Sequence, residues 1–525
     1  MVLERSSVPF RFQVNKSKLV KKDRELLIQE GKLLSFIKQP TKLLHRGICN
    51  YNELIIMNDM LLNSIDDYNY SWYLQSGVFS YIHDVCSIKS PPDYKLKGSE
   101  DSLNGAVTMM TELLIDYSRS IGISRLSYKK HYAVSEWFIV YLHRLYKINS
   151  LAIKYSRDKS FNLTNSVQNK DFSNPVMLRL VDFLKVNNFV IDFTGNVLYG
   201  TRTMSMLVIN PELYDLFGIS NIDLEFEIIN RDHVVVKDDK GRLINKEDYS
   251  GDIMEVVEYG ARVLSSYEEA FKGRKLSIDG YIIPEYWLTR VHREDITVCS
   301  RIFDGNEIQG RPKDVRSRLK IDDVETVGLD FKALHPSILL HQAGKVSTTY
   351  DPYPVIDGVD LDQDLIKKFK EFYGLSKYDP LRNIVKKLTL CMINANSKND
   401  AVGACYADLQ RDQMKKGSFQ EYRMLYVGLP KIDLHKIADE IIEHNSVIAD
   451  QLGTGVGNKL QKIDSDIMMY CIERFVELGI IAIPIHDCFI AKVTDKVQVE
   501  SVMVEGFVKF VGEGSEANCK IEEEK

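Results

Sequence analysis

Residues 480–492 read IIAIPIHDCFIAK, two apolar runs, Ile480 to Ile485 and Cys488 to Ala491, around a polar His486-Asp487 pair. Short apolar runs broken by a two-residue polar step fit a β-hairpin better than a helix. The hairpin carries a carboxylate at its tip, within sequence that otherwise belongs in a core. A polar pair in such a setting lowers stability unless it is hydrogen-bonded or binds an ion. The segment therefore calls for a sheet to pack into and a reason for the acid. The bland alternative is a surface turn.

Two earlier segments supply matching chemistry. Val324 to His341, VETVGLDFKALHPSILLH, reads as an apolar strand delivering Asp330 at its end, then a turn and an amphipathic helix starting near Pro336. A strand-end carboxylate, with the following carbonyl of Phe331, offers hard oxygen ligands of the kind magnesium takes when it is shared with a triphosphate. A lone Asp in this position is more often a helix cap. Asp379 to Gly403, DPLRNIVKKLTLCMINANSKNDAVG, opens with an N-cap Asp379 and Pro380 at the first helical position. Arg382 and Lys386 then share one helix face, continued by Thr389 and Ile393. Two such cations suit a triphosphate, Arg by forked hydrogen bonds and Lys as a point charge, although an isolated pair usually marks a solvated face.

The rest of the chain is read more coarsely. Its 525 residues exceed one compact core and predict two to four domains, and 44% hydrophobic with 27% charged residues describes an ordinary globular protein. The first third reads as mainly helical, with a polar stretch, Tyr155 to Asn174, as the best boundary. A helix from Pro175 to Val186 followed by alternation to Tyr199, with a turn at Gly195, has the pattern of a small winged module. Eight scattered cysteines without a CxxC pair argue against a zinc site and against a disulfide framework. No apolar run approaches the roughly 20 residues needed to cross a bilayer, so the expectation is a cytoplasmic protein with no membrane partner. The net charge of -6 neither requires nor excludes nucleic acid.

A strand-end Asp, a helix bearing Arg and Lys, and a His-Asp hairpin, in that order, resemble motifs A, B and C of family A DNA polymerases and of the single-subunit phage-type RNA polymerases. The resemblance covers roughly residues 295 to 515, and Gly453 to Asp466, GTGVGNKLQKIDSD, is similar to the approach to motif C in the RNA polymerases. It implies an α+β fold, a right-hand polymerase with an antiparallel-sheet palm and helical fingers behind a mainly helical N-terminal region. The implied division is 1–160 helical, 161–294 a helical and winged-like thumb or template-binding region, 295–345 palm, 346–430 fingers and 431–525 palm.

The resemblance also implies roles. Asp330 and Asp487, with the Phe331 carbonyl, would hold two Mg2+ ions, for which Mn2+ can substitute. Arg382 and Lys386 would be catalytic and bind nucleotide with His335 and Asn394. Arg311, Lys313, Arg316, Arg318 and Lys320, together with His486 and Gln461, would meet the nucleic acid, and Asp464 and Ser465 would line the same groove or serve packing. The implied partners are a primer-template and nucleoside triphosphates, and any replication partner protein stays unnamed. Asp330 to Ser337, DFKALHPS, resembles the D-F-x-S-L-Y-P-S form of family B polymerases more than the usual family A form, and two further features depart from the family. Asn394-Ala395 replaces the Tyr-Gly pair of motif B, and His335 stands where DNA polymerases carry a bulky gate against the ribose 2′-hydroxyl. His335 tilts the reading toward deoxynucleotides. An RNA polymerase or primase-like enzyme, and a non-catalytic palm-like nucleic-acid binder, remain the alternatives.

Overall fold

The computed structural model describes residues 87–88, 94–98, 100–148, 150, 152–155, 173–193, 197–198, 201–202, 205–222, 224–228, 232–283, 286–293, 295–305, 308–311, 313–357, 367, 379–415 and 431–524. Most of the first 160 residues' N-terminal half, the polar stretch after Tyr155 and Gly195 lie outside this set. Helices and mainly antiparallel sheets make up the described residues, compatible with an α+β fold. No helix among them is long and apolar enough to cross a membrane.

The chain divides into two compact units, Met1–Asn196 with Thr203–Asn230, and Val197–Arg202 with Arg231–Lys525. In the first, helices Glu100–Ser120, Tyr128–Lys147 and Asn174–Val186 pack by apolar faces that include Val107, Met110, Phe138, Leu142 and Leu180. Strand Val190–Phe193 pairs antiparallel with Ser205–Ile209.

The second unit contains all three motifs. Its elements are β1 (Val234–Lys237), α1 (Gly251–Phe271), β2 (Leu276–Ile278), β3 (Tyr281–Ile283), β4 (Leu288–Arg293), β5 (Ser300–Asp304), β6 (Leu319–Ile321) and β7 (Val324–Phe331). They continue as α2 (Leu334–Gln342), α3 (Pro380–Asn394), α4 (Lys398–Lys415), α5 (Lys431–His444), α6 (Gly457–Leu478), β8 (Ala482–Ile485), β9 (Cys488–Lys492), α7 (Lys496–Val511) and β10 (Ile521–Glu524). Within the unit, α1 packs on α6, and β2 and β3 belong to the same sheet as β7.

That sheet runs β3-β2-β6-β7-β9-β8, with β10 also paired to β7. Its centre, β7, pairs antiparallel with β9 on one edge and with β6 and β10 on the other. Strand alternation sends Leu329 and Phe331 into the core and turns Asp330 to the opposite face. Gly328 shares the face of Asp330, and a Cβ there would lie 2.8 Å from Cβ of Glu524, so the glycine lets β10 lie close across the strand.

Helices α3, α4 and α5 enclose a separate apolar cluster that includes Ile384, Leu388, Val402, Leu434 and Ile441. Asp379 caps α3 by accepting the Arg382 N–H at 3.0 Å, as its position in the sequence predicts. The loop Gly453–Gly457 grips the end of α3. Gly453 N–H donates to the Met392 carbonyl at 2.6 Å and Gly455 N–H to that of Ala395 at 2.8 Å. Both glycines have positive φ, and a Cβ on Gly457 would fall 2.1 Å from Asn394 Oδ1.

Candidate active site

The His-Asp hairpin forms. β8 and β9 pair from Ala482↔Ala491 to Ile485↔Cys488, leaving His486 and Asp487 as the two-residue turn, with His486 at φ 56. The positive φ at a non-glycine residue is a local strain that surrounding structure must hold. Asp330 stands opposite Cys488, and the Phe331 N–H donates to the Asp487 carbonyl at 3.2 Å. Two acids far apart in sequence thus meet at one end of the sheet.

Their electrostatics follow from the proximity. Burial first, then the charges of Asp487, Glu524 and Glu522, push the Asp330 carboxyl well above the usual carboxylate range. Burial and the Asp464 carboxylate push Asp487 up as well, with His335 and Arg301 opposing. Mutual repulsion in a half-buried site favours a proton or another cation on the pair. Among the described residues, no group of three or more His, Cys, Asp or Glu side chains is arranged to hold a metal ion.

His335 occupies the first turn of α2, after Ala333 in the left-handed region, and its Nε2 lies 3.8 Å from Asp464 Oδ2. Asp464 comes from α6, and its Oδ1 is buried without a hydrogen-bond partner. Gln461, one turn earlier on α6, donates from Nε2 to Asn394 Oδ1 at 3.5 Å, which joins the end of α3 to α6. Ser465 is buried beneath them. Its Oγ accepts from Arg290 Nε at 3.1 Å and lies 3.1 Å from Ser300 Oγ, so it belongs to packing. His486 is held below the ordinary histidine range by burial and by Arg301 and Arg316.

Arg382 and Lys386 share one face of α3, as their spacing predicts. Arg382 Nη2 donates to Asp351 Oδ2 at 2.7 Å and Nη1 to the Tyr353 carbonyl at 3.3 Å. Its guanidinium carbon lies 5.4 Å from the centre of the Tyr353 ring, and Lys386 Nζ lies 5.3 Å from it. Burial, then Asp351 and Asp487, push the Tyr353 phenol up to about 12, with Arg382 opposing and Asp330 adding to the rise. One phenol therefore lies within electrostatic reach of the paired acids and of the cationic helix face.

Several cations of the basic loop before β7, expected from the sequence to meet nucleic acid, bind within the protein instead of reaching solvent. Arg311 is buried, and Arg316 donates to the Arg311 carbonyl at 2.8 Å and to Glu524 Oε1 at 3.1 Å. Arg318 Nε lies 3.1 and 3.2 Å from the two oxygens of Asp279. Lys313 reaches Glu524 at 3.5 Å but stays half exposed, and Lys320 is exposed. Runs of Arg and Lys read as solvent-facing when their acidic partners lie far along the chain.

Sequence reasoning missed Asp351, Tyr353, Arg301, Glu522 and Glu524. Asp351-Pro352-Tyr353 carries a turn signal, but nothing in it announces contact with α3. The Ile521–Glu524 strand is acidic and looks like a solvated tail.

No family model matches the chain, and no curated protein matches it. Among solved structures, it is similar to the POL domain of Pol1 from M. smegmatis in complex with DNA primer-template and dNTP. The identity is 10%, over 90% of this chain and 71% of that chain, with a TM-score of 0.24.

Proposed function

We propose that the chain is a template-directed nucleotidyltransferase that extends a nucleic-acid 3′ end by two-metal catalysis, with a right-hand palm and fingers and with deoxynucleotides favoured. The observation that carries this reading is the meeting of Asp330 and Asp487 at one end of the sheet, with the Arg382–Lys386 face on Tyr353 within electrostatic reach of both acids. A metal-dependent phosphohydrolase, which can also use such cations, usually gathers more Asp, Glu and His ligands than Asp330 and Asp487 supply.

The donor set fits magnesium. Asp330 and Asp487 offer hard oxygens, and neither has an ion-pair partner among the described residues, so a divalent cation relieves their repulsion. When bound, the ions would lower the pKa of the 3′-hydroxyl and neutralise charge on the triphosphate and on leaving pyrophosphate. Asp330 and Asp487 would hold them, with the Phe331 carbonyl as a further oxygen.

Arg382 would fork onto the β- and γ-phosphates, and the exposed Lys386 would meet the charge that grows on pyrophosphate and donate its proton. His335, paired with Asp464, and Asn394 would border the nucleotide, and His486 and Gln461 the primer end. Of the basic loop, Lys313 and Lys320 keep heads in solvent and would meet backbone phosphates, contacts that position the duplex without reading its sequence.

The test is extension of a labelled primer-template with magnesium, offering deoxynucleotides and ribonucleotides separately, beside Asp487→Ala. Extension lost in the variant is the expected result, and the nucleotide used decides the sugar. Absence of extension on DNA and RNA templates, with manganese also supplied, would reject the reading in favour of a non-catalytic nucleic-acid binder.

A further inference from the structure

Arg382 and Lys386 lie four residues apart on α3, so their like charges repel along one helix face. Left alone, two long side chains would splay into solvent and lose their common aim. The segment Tyr350–Tyr353 opposes this. The Tyr353 ring takes both cations, at 5.4 and 5.3 Å from its centre, within the range of cation–π attraction. Asp351 uses both oxygens, Oδ1 accepting the Tyr353 N–H at 3.1 Å and Oδ2 the Arg382 Nη2 at 2.7 Å.

The segment is itself fixed. Lys520 Nζ donates to the Tyr350 carbonyl at 2.7 Å and Asn445 Nδ2 to that of Pro352 at 3.0 Å. His444 Nε2 lies 2.8 Å from the Asp351 carbonyl, and the Tyr350 hydroxyl donates to Asn445 Oδ1. The cations are therefore held by a loop anchored to α5 and to the residue before β10.

We infer that Asp351 and Tyr353 are positioning residues, forming a carboxylate–aromatic cradle that holds Arg382 and Lys386 together as a clamp for a polyphosphate. This rests on the nucleotidyltransferase reading for its substrate, a nucleoside triphosphate. A guanidinium has five N–H donors, and two are engaged here, one by Asp351 and one by the Tyr353 carbonyl. Three remain for phosphate oxygens without breaking the cradle. The charge balance separates geometry from simple attraction. Asp351 subtracts one positive charge from a site for an anion, so by charge alone it weakens binding, and any benefit from it must come through orientation.

The test uses the full chain and two independent readouts. The first is the dissociation constant of inorganic triphosphate by calorimetry, without primer or template. The second is KM and kcat for the nucleotide in primer extension. Asp351→Ala is expected to raise the dissociation constant and KM about ten-fold, with a smaller change in kcat, as for loss of a charge-assisted contact. Asp351→Asn, which keeps an acceptor oxygen, recovers part of the loss. Tyr353→Leu loses more than Tyr353→Phe, which keeps the ring.

Thermal melting checks that each variant folds, and if Asp351→Ala does not, Asp351→Asn and Tyr353→Leu carry the comparison. An Asp351 variant that binds triphosphate as well as wild type, or more tightly, overturns the cradle, because it shows the carboxylate acting only as an opposing charge. Wild type that binds triphosphate through this cradle yet extends no primer rejects the nucleotidyltransferase reading and leaves the cradle standing. Extension with KM unchanged in both Asp351 and Tyr353 variants does the reverse.

Discussion

His292 offers a stability test whose size follows from its surroundings. It lies on β4, opposite Ser300 of β5 and Val236 of β1, with no exposed surface and no hydrogen-bond partner for either ring nitrogen. Burial, reinforced by the charges of Arg290 and Lys462, lowers its pKa from 6.5 to about 3. The unfolded chain can take a proton near 6.5 that the folded chain refuses, so the contribution is intact above that pH and is lost as the pH falls toward 3. Between about pH 8 and about pH 5 the unfolded state gains about 1.5 decades of proton binding, worth about 2 kcal/mol. Urea unfolding of the full chain at the two pH values, followed by fluorescence, reads this loss, since Trp287 directly precedes β4. His292→Leu removes the titrating group and keeps an apolar side chain in the pocket. The wild type is expected to lose about 2 kcal/mol more than the variant over this range, a difference in which groups common to both proteins cancel. Parallel pH dependences in the two proteins would refute a buried neutral imidazole at this position.

Three further perturbations probe the site and its supports. Asp330→Asn removes one of two repelling acids, so it should abolish extension yet raise metal-free unfolding stability by about 1–2 kcal/mol; a drop in the urea midpoint would contradict the repulsion. Gly457→Ala places a methyl group 3.1 Å from the Asn394 backbone as well as against its side chain. Such crowding should cost about 1–3 kcal/mol and raise the nucleotide KM by disturbing the end of α3, whereas unchanged melting and kinetics would show that the loop does not brace the helix. Gly305→Ala sets a Cβ 1.8 Å from Trp287, inside its ring, so the indole must leave its pocket. A melting loss equivalent to about 3 kcal/mol, with a red shift in tryptophan emission, is expected, and an unshifted spectrum would argue against that packing.

The parts of the site that were legible in the sequence are those whose signal is local. The β8–β9 hairpin announces itself by apolar runs around a polar break, and α3 by Asp379, Pro380 and the four-residue spacing of its cations. The side of β7 on which Asp330 projects follows from strand alternation. What stayed hidden depends on partners distant in the chain. Arg316 and Glu524 pair across 208 residues, so neither a basic loop nor an acidic end reveals the other. The Ile521–Glu524 strand has no periodic apolar face, and only pairing with β7 makes it part of the sheet. Tyr353 sits in a turn whose local chemistry explains the bend and says nothing about the two cations above it.

Which of the acids is left unneutralised is itself informative. Five carboxylates crowd this end of the sheet. Glu524 is met by Arg316 at 3.1 Å and Lys313 at 3.5 Å, Glu522 by Lys332 at 3.8 Å, and Asp464 by His335 at 3.8 Å. Asp330 and Asp487 have no basic side chain within ion-pair distance among the described residues, although burial and their neighbours raise both. A fold selected only for stability would neutralise those two first, since buried and unpaired acids cost most. Pairing Glu524 and Glu522 with cations, and turning Arg382 toward Asp351 instead, leaves Asp330 and Asp487 without a basic partner. That arrangement costs stability in the empty protein, and under the proposed function a divalent cation and a polyanion bound together would offset the cost.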